Sequence, residues 1–213
     1  MMMVVLTGCA TQPMPSTTPV IKAPVVDPTP RQDLLLPLST GQREGPGETY
    51  FDPHHTGVPL FDLKGRANMK LSPWFRAKDF ARSGHTTPRY ARIDKRLVAC
   101  LTRVRDATGH TMSILSGYRS FAHNQNIRRA GEGAAKSSYH ISGSAADVVT
   151  STPVEQFAIA VYLECGCNAG FGVSPRFYHV DLRNHPVTPW GYAASAAPRL
   201  AIARKVQRNV CGN

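Results

Sequence analysis

Residues 137–147 read SSYHISGSAAD, and this short polar stretch is the most informative part of the 213-residue sequence. His140 and Asp147 stand seven residues apart, with Gly143 and Ala145 between them. Gly143 can take the unusual backbone dihedrals of a tight turn, and Ala145 is small enough for close packing, so the turn would bring Asp147 back to face His140. Imidazole nitrogen and carboxylate oxygen are both zinc ligands in proteins. The stretch predicts two ligands of a metal site, although alone it also fits a polar turn.

A candidate for the third ligand lies in RFYHVDL, residues 176–182, which has the aromatic and β-branched composition of a strand. Side chains alternate in face along a strand, so His179 and Asp181 are expected on one side and Tyr178 and Val180 on the other. A catalytic zinc has three protein ligands and one position left for water. A single histidine in a strand is more often a packed core residue, so the metal hypothesis depends on the combination with the first stretch.

Helix and strand patterns follow one another around these two segments. Apolar residues recur at helical spacing in ARIDKRLVACLTRVRDATG (91–109), where Gly109 offers a stop. Thr152, Pro153 and Glu155 predict an N-cap, an N1 proline and a capping box at the start of a later helix. This order favours an α+β fold in which a small antiparallel sheet is flanked by helices. The predicted elements are helices over about 93–108, 122–130 and 153–164 and strands over 111–116, 169–173 and 176–182.

The N-terminal region carries a different kind of signal. In MMMVVLTGCATQPMP (1–15), LTGC fits the lipobox, in which a signal peptidase cuts before a cysteine that then carries lipid. Only eight residues precede Cys9 and none is basic, so residues 1–9 are predicted to be the remnant of a lipoprotein signal, with an ordinary apolar N-terminus as the alternative. Residues 10–67 are predicted to be a Pro-, Thr- and Gly-rich tether and irregular segment, and 68–213 a globular domain. Membrane anchoring would then be through lipid on Cys9.

The remaining four cysteines are Cys100, Cys165, Cys167 and Cys211, an even number that suits an oxidising compartment. Cys165 and Cys167 are too close in sequence to pair comfortably with each other. Each is therefore expected to form a disulfide with Cys100 or Cys211, in either combination. The alternative is a structural zinc held by four thiolates, but C-x-C lacks the two-residue knuckles typical of such sites.

The net charge of +11 at pH 7 comes from Lys and Arg spread along the whole chain. Such a balance permits nucleic acid, anionic lipid or an acidic polymer as a partner. Nucleic acid is the weakest of these, because the sequence contains no recognisable nucleic-acid-binding motif and its N-terminus predicts export from the cytoplasm.

Several separated motifs together resemble the zinc D-alanyl-D-alanine carboxypeptidase family, most closely its murein endopeptidase K-like branch. They are SGYRS (116–120), AHN (122–124), SSYHISGSAAD (137–147) and FYHVDLR (177–183), within a similarity that spans about residues 70–192. The resemblance implies the compact α+β fold shared with vancomycin-resistance dipeptidases and the hedgehog signalling domain. It also implies zinc-dependent hydrolysis of peptide bonds in the stem peptides or cross-links of peptidoglycan, in the periplasm of the bacterial cell envelope.

The same resemblance assigns roles to individual residues. His140, Asp147 and His179 match the three zinc ligands. Arg119 in SGYRS matches the arginine that contacts substrate near the scissile bond, where a guanidinium can bind a carboxylate or polarise a carbonyl.

The general base is the position at which the match departs from the family. Many relatives carry Glu or Asp three residues before the last zinc histidine, and this chain has Arg176 there. Asp181 is the best local candidate, either as the base or as a partner that orients His179. His123 and Ser138 are further candidates for contacts with substrate, and a structural hydrogen bond is the alternative for His123.

Two functions therefore compete at the level of sequence. The first is a zinc peptidase acting on peptidoglycan, and the second is a non-catalytic, wall-binding lipoprotein that keeps the peptidase fold. The missing acid at Arg176 is the feature that favours the second.

Overall fold

The structure, a computed structural model, describes residues 53–54, 56–83, 87–131 and 133–212. A short 3-10 helix, Ala194–Ala196, precedes the last α-helix. In chain order the other elements are β1 (Leu60–Asp62), α1 (Ala77–Ala81), β2 (Tyr90–Arg92), α2 (Lys95–Thr108), β3 (Met112–Ser116), α3 (Phe121–Arg129), β4 (Ala145–Thr150), α4 (Val154–Cys165), β5 (Gly170–Val173), β6 (Tyr178–Asp181), β7 (Trp190–Gly191) and α5 (Ala197–Cys211).

The main sheet has five strands in the order β3-β4-β6-β5-β7, and β1 and β2 form a separate two-stranded sheet. Neighbouring strands of the main sheet run antiparallel, except that the two-residue β7 runs parallel to β5. Helix α4 packs against α2 and α5. The predicted α+β fold, a small antiparallel sheet flanked by helices, is confirmed.

Local signals set both ends of α2, of which the sequence predicted the C-terminal one. The Asp94 side chain caps the helix by accepting from the backbone N–H of Arg96, and Gly109 ends it in the left-handed conformation at φ 67°. Leu97, Leu101 and other apolar residues at the predicted spacing are buried. The helix and its stop are therefore confirmed.

The predicted start of α4 is wrong by one residue. Pro153, rather than Thr152, occupies the N-cap position, and no side chain caps the helix. The Thr152 hydroxyl instead lies 2.8 Å from the Thr150 hydroxyl. The predicted capping box does not form, because Thr152 lies one residue before the N-cap and its hydroxyl bonds locally to Thr150.

An aromatic part of the core lies between α4 and the sheet. Phe157 of α4 packs against Tyr178 of β6, with ring centroids 4.7 Å apart, and against Phe171 of β5 at 5.9 Å. Tyr178 and Val180 are buried on this face. The intervening His179 and the following Asp181 therefore point away from the aromatic core, as strand alternation predicts.

The four cysteines form two disulfides, Cys100–Cys165 and Cys167–Cys211. The expectation that each of Cys165 and Cys167 pairs with a distant cysteine is confirmed, and the structure decides between the two combinations. A four-thiolate zinc site is excluded, because all four sulfurs are used in disulfides.

Strand β1 lies inside residues 10–67, for which only irregular structure was expected. It pairs with β2, Leu60 opposite Arg92 and Asp62 opposite Tyr90, and the neighbouring Leu63 is buried in the core. The alternation is too short in three residues to stand out in the sequence. Cys9 and the proposed signal remnant lie outside the described residues. No helix in the described part of the chain is long and apolar enough to cross a membrane.

Candidate metal centre

Three side chains converge on the face of the sheet opposite the aromatic core. His140, Asp147 and His179 are all buried, and each offers a ligand atom within 4.8 Å of the others. Asp147 Oδ1 lies 3.0 Å from His179 Nδ1 and 3.4 Å from His140 Nε2, and the two nitrogens are 3.2 Å apart. The structure therefore brings together the three residues that the sequence predicted as ligands.

Sheet register places two of the three. Asp147 on β4 is the direct antiparallel partner of His179 on β6, so both side chains stand on the same face. Asp181 is the partner of Ala145 in the same pairing, and it continues the face one step along β6. A slip of one residue in this register would move the whole set to the core side.

The third residue, His140, comes from the turn that leads into β4. The backbone N–H of Gly143 donates to the His140 carbonyl, and Gly143 has a φ of 72°. A Cβ at Gly143 would lie 2.4 Å from the backbone oxygen of Arg92. Glycine is therefore required here both for its backbone conformation and for the close approach to β2.

Each histidine is oriented through the ring nitrogen that faces away from the cluster. His140 Nδ1 donates to the carbonyl of Gly117 at 2.6 Å. His179 Nε2 donates to Asp181 Oδ2 at 2.9 Å. Such second hydrogen bonds fix the tautomer and the ring direction of metal-binding histidines. They leave His140 Nε2 and His179 Nδ1 facing Asp147.

Arg119 is tied to the cluster rather than standing apart from it. Its Nη2 donates to Asp147 Oδ2 at 2.6 Å, and its Nε donates to the hydroxyl of Ser116 at 3.0 Å. The side chain is 14% exposed and lines the cavity. Within the described part of the chain, Nη1 makes no hydrogen bond, so this nitrogen of a cavity-lining residue has no protein acceptor.

Burial and neighbouring charges shift the pKa values of the two histidines in opposite directions. Burial and the Arg119 guanidinium lower the pKa of His140 to about 4. Burial also lowers the pKa of His179, but its hydrogen bonds to Asp147 and Asp181 outweigh burial and raise that pKa to about 9. Burial raises the pKa of Asp147, but the two imidazoles outweigh it and hold the carboxylate ionised. At neutral pH these shifts leave His140 neutral, His179 protonated and Asp147 ionised.

These donors fit zinc. Two imidazole nitrogens and one carboxylate oxygen are the number and type of protein ligands found at catalytic zinc sites. Both imidazoles already have the outward hydrogen bonds typical of such ligands. His140, Asp147 and His179 are therefore the residues that would hold the ion.

A cavity of about 480 Å³ opens over the cluster. Ser138 lines it, although its hydroxyl also accepts the backbone N–H of His140 at 3.3 Å. His123 does not line it, because the His123 ring is hydrogen-bonded to the Ser83 hydroxyl at 2.8 Å. The structural alternative for His123 is the one that this geometry favours.

Neither Arg176 nor Asp181 supplies a carboxylate that is free to act as the general base. Arg176 is exposed and is not among the cavity-lining residues. Asp181 is 1% exposed, and its two oxygens accept hydrogen bonds from His179 and from Arg183. Burial raises the pKa of Asp181, but Arg183 and His179 outweigh it and lower that pKa to about 2.

Sequence reasoning missed several residues of the cavity wall, namely Tyr139, Arg183, Trp190 and Tyr192. Arg183 could have been found, because the alternation that joins His179 to Asp181 reaches it at the next step. Trp190 and Tyr192 gave no such signal, because the pairing of β7 with β5 is what brings this segment to the cavity.

Comparisons with known proteins match the chain to one family model and to one solved structure. The family model described as peptidoglycan L,D-endopeptidase MepK matches residues 76–190, just over half of the chain. No curated protein matches the sequence. Among solved structures, the L-Ala D-Glu endopeptidase ChiX of Serratia marcescens is similar at 22% identity, with a TM-score of 0.36, over 43% of this chain and 80% of that one.

Proposed function

The chain belongs to the family of the peptidoglycan L,D-endopeptidase MepK, and on that premise we propose that it hydrolyses peptide bonds in peptidoglycan stem peptides with a zinc ion. The observation that carries this proposal is the convergence of His140 Nε2, Asp147 Oδ1 and His179 Nδ1 beneath a cavity. The family description further favours L,D bonds as the bonds that are cut.

The zinc ion would supply a Lewis acid and an activated water molecule for attack on the peptide carbonyl. The protein's own residues prepare that site. The Gly117 carbonyl and Asp181 hold the two imidazoles so that their lone pairs converge. Arg119 fixes Asp147 through Nη2, and its Nη1 would bind a substrate carbonyl or carboxylate in the cavity.

Asp181 orients His179 and does not act as the general base. A base must be free to accept a proton and must lie within hydrogen-bond reach of the water molecule. Both oxygens of Asp181 are already occupied and the side chain is buried. Of the two roles that the sequence left open, the geometry supports the orienting one.

A second candidate function, non-catalytic binding of the cell wall, is favoured by one specific observation. Asp147 and Asp181 are the only carboxylates that line the cavity among the described residues, and each is paired with an arginine. The chain therefore shows no unpaired carboxylate beside the cluster in the part that the structure describes. Activity measurements separate this candidate from the first.

Location in the bacterial cell envelope follows from the proposed substrate. Peptidoglycan lies outside the cytoplasm, where the two disulfides would also be stable. The net charge of +11 suits an anionic wall polymer. Lipid attachment at Cys9 stays a prediction.

The test is to incubate zinc-loaded protein with purified monomeric and dimeric muropeptides and to separate the products by chromatography and mass spectrometry. We expect new fragments from cleavage of stem peptides, and loss of those fragments after chelation with recovery on added zinc. The His140→Ala variant should be inactive and should no longer be stabilised by zinc in a thermal melt, because it lacks one ligand.

His110→Ala is the matched control, because His110 lies outside the cavity and hydrogen-bonds to Ser151 at the surface. It should retain both cleavage and zinc stabilisation. If zinc-loaded protein binds muropeptides and cleaves none of them, the wall-binding function replaces the enzymatic one.

A further inference from the structure

Arg183 is a half-buried cation beside the site that the proposed function leaves unused. Its Nε donates to Asp181 Oδ1 at 2.6 Å and its Nη2 donates to Asp181 Oδ2 at 2.7 Å. The arginine side chain is 17% exposed and the Asp181 side chain 1%. This is a two-point pairing of guanidinium and carboxylate, which fixes the plane of the carboxylate as well as its position.

The guanidinium of Arg183 is itself held between aromatic rings. Its central carbon lies 4.9 Å from the Tyr139 ring centroid and 5.0 Å from the Trp190 ring centroid. The other contact of the Tyr139 ring is His54, which stacks on it at 3.6 Å with the ring planes 4° apart. Contact of one guanidinium with two aromatic rings favours arginine over lysine and restricts the directions in which the fork can point.

A continuous chain of contacts thus leads from the cavity wall to the cluster. The rings of Tyr139 and Trp190 hold Arg183, Arg183 holds Asp181, and Asp181 accepts the hydrogen bond from His179 Nε2. Since Nε2 is fixed in this way, Nδ1 of the same ring faces Asp147 Oδ1 at 3.0 Å.

We propose that Arg183 is a positioning residue for the metal site, which acts by fixing the Asp181 carboxylate that orients His179. The inference rests on the proposed zinc function and extends it beyond the ligands and their immediate partners. It also explains why the Asp181 carboxylate can be buried. Arg183 compensates the charge of Asp181, just as Arg119 compensates the charge of Asp147.

Lysine cannot replace Arg183 in this arrangement. An ammonium retains the positive charge but lacks the planar fork that contacts both oxygens and stacks between the rings. In Arg183→Lys, the Asp181 carboxylate would be free to rotate, and the hydrogen bond to His179 would lose its fixed direction. Zinc affinity should therefore fall while the unloaded fold persists.

The first experiment is a zinc titration of the parent protein and Arg183→Lys in competition with a chromophoric chelator. We expect the dissociation constant to rise about tenfold in the variant, while circular dichroism and the melting temperature of the unloaded protein stay close to those of the parent. Arg103→Lys is the matched control, because Arg103 also makes two hydrogen bonds to one residue, Glu164, away from the cavity. Its zinc affinity should not change.

The second experiment asks whether the effect passes through Asp181. The same titration is made in an Asp181→Asn background. There Arg183→Lys should raise the zinc dissociation constant by far less than tenfold, because the carboxylate that Arg183 fixes is gone. An equal cost in both backgrounds would show that Arg183 acts on the metal site by another route and would overturn the inference. If Arg183→Lys does not fold, Arg183→Gln takes its place in both titrations.

The outcomes separate this inference from the function on which it rests. If the parent binds no zinc, the proposed function fails and the inference fails with it. If the parent binds zinc and Arg183→Lys binds it equally tightly, the inference alone is overturned.

Discussion

Two glycines support this site because they have no side chain, which lets neighbouring groups approach their backbone closely. A Cβ on Gly117 would lie 1.9 Å from the Phe80 backbone oxygen, and the Gly117 carbonyl is the group that orients His140. A Cβ on Gly170 would lie 2.3 Å from Asp181 Oδ1, which is too close for two atoms that are not bonded. These glycines let the backbone and the carboxylate approach closely enough to hold both histidines.

Gly143→Ala tests this at the turn that carries His140. Gly65 is the matched control, because it has nearly the same φ, 70° against 72°, but open space around its Cβ position. Gly65→Ala should lower the free energy of unfolding by about 1–2 kcal/mol from backbone strain alone. Gly143→Ala should lower the free energy of unfolding by about 1–3 kcal/mol more than Gly65→Ala does, because its Cβ would meet the Arg92 backbone.

Urea denaturation of the unloaded proteins measures both losses, and a zinc titration of the Gly143 variant should show weaker binding because its turn is displaced. Equal losses for the two variants would contradict the close-approach explanation.

At the level of elements, β6 separates two functions by alternation. His179 and Asp181 face the cavity, while Tyr178 and Val180 face α4. The pairing of β4 with β6 then sets Asp147 beside His179. One strand thus contributes to the metal site with one face and to the core with the other, so the two can be perturbed separately.

Phe157→Leu, on α4, tests that separation. The Phe157 ring packs on Phe171 and Tyr178, and leucine would leave part of this space unfilled. The free energy of unfolding should fall by about 1–2 kcal/mol, while the zinc dissociation constant stays within about twofold of the parent value. A large loss of zinc affinity with unchanged stability would show that the two faces of β6 are not independent.

At the level of the whole molecule, the disulfides brace the helical layer behind the sheet. Cys100–Cys165 joins α2 to the end of α4, and Cys167–Cys211 joins the segment after α4 to the end of α5. Neither pair lines the cavity. Their contribution should therefore be to stability rather than to zinc binding.

Replacing both Cys167 and Cys211 by alanine tests this assignment. The two cysteines are 44 residues apart, and loss of a cross-link over such a loop should lower the free energy of unfolding by about 2–4 kcal/mol. Urea denaturation measures that loss, and a zinc titration of the folded variant should match the parent. Weaker zinc binding without a change in stability would contradict the assignment.

The sequence by itself determined the features that depend on local pattern. Helical periodicity and Gly109 predicted α2, and strand alternation predicted that His179 and Asp181 share a face. The motifs, through their resemblance to the family, named the three residues that converge. These signals are local because backbone dihedrals and side-chain alternation are set within a few residues.

Only the tertiary structure decided the contacts between distant segments. It showed which cysteines pair and that α4 begins one residue later than predicted. It also showed that the Gly117 carbonyl accepts the hydrogen bond from His140, and that Arg183 contacts the rings of Tyr139 and Trp190 while it pairs with Asp181. It also favoured the orienting role of Asp181 by filling both of its oxygens. Such choices need the three-dimensional structure, because the free energy of a buried polar group depends on which partner the rest of the chain brings within hydrogen-bond distance.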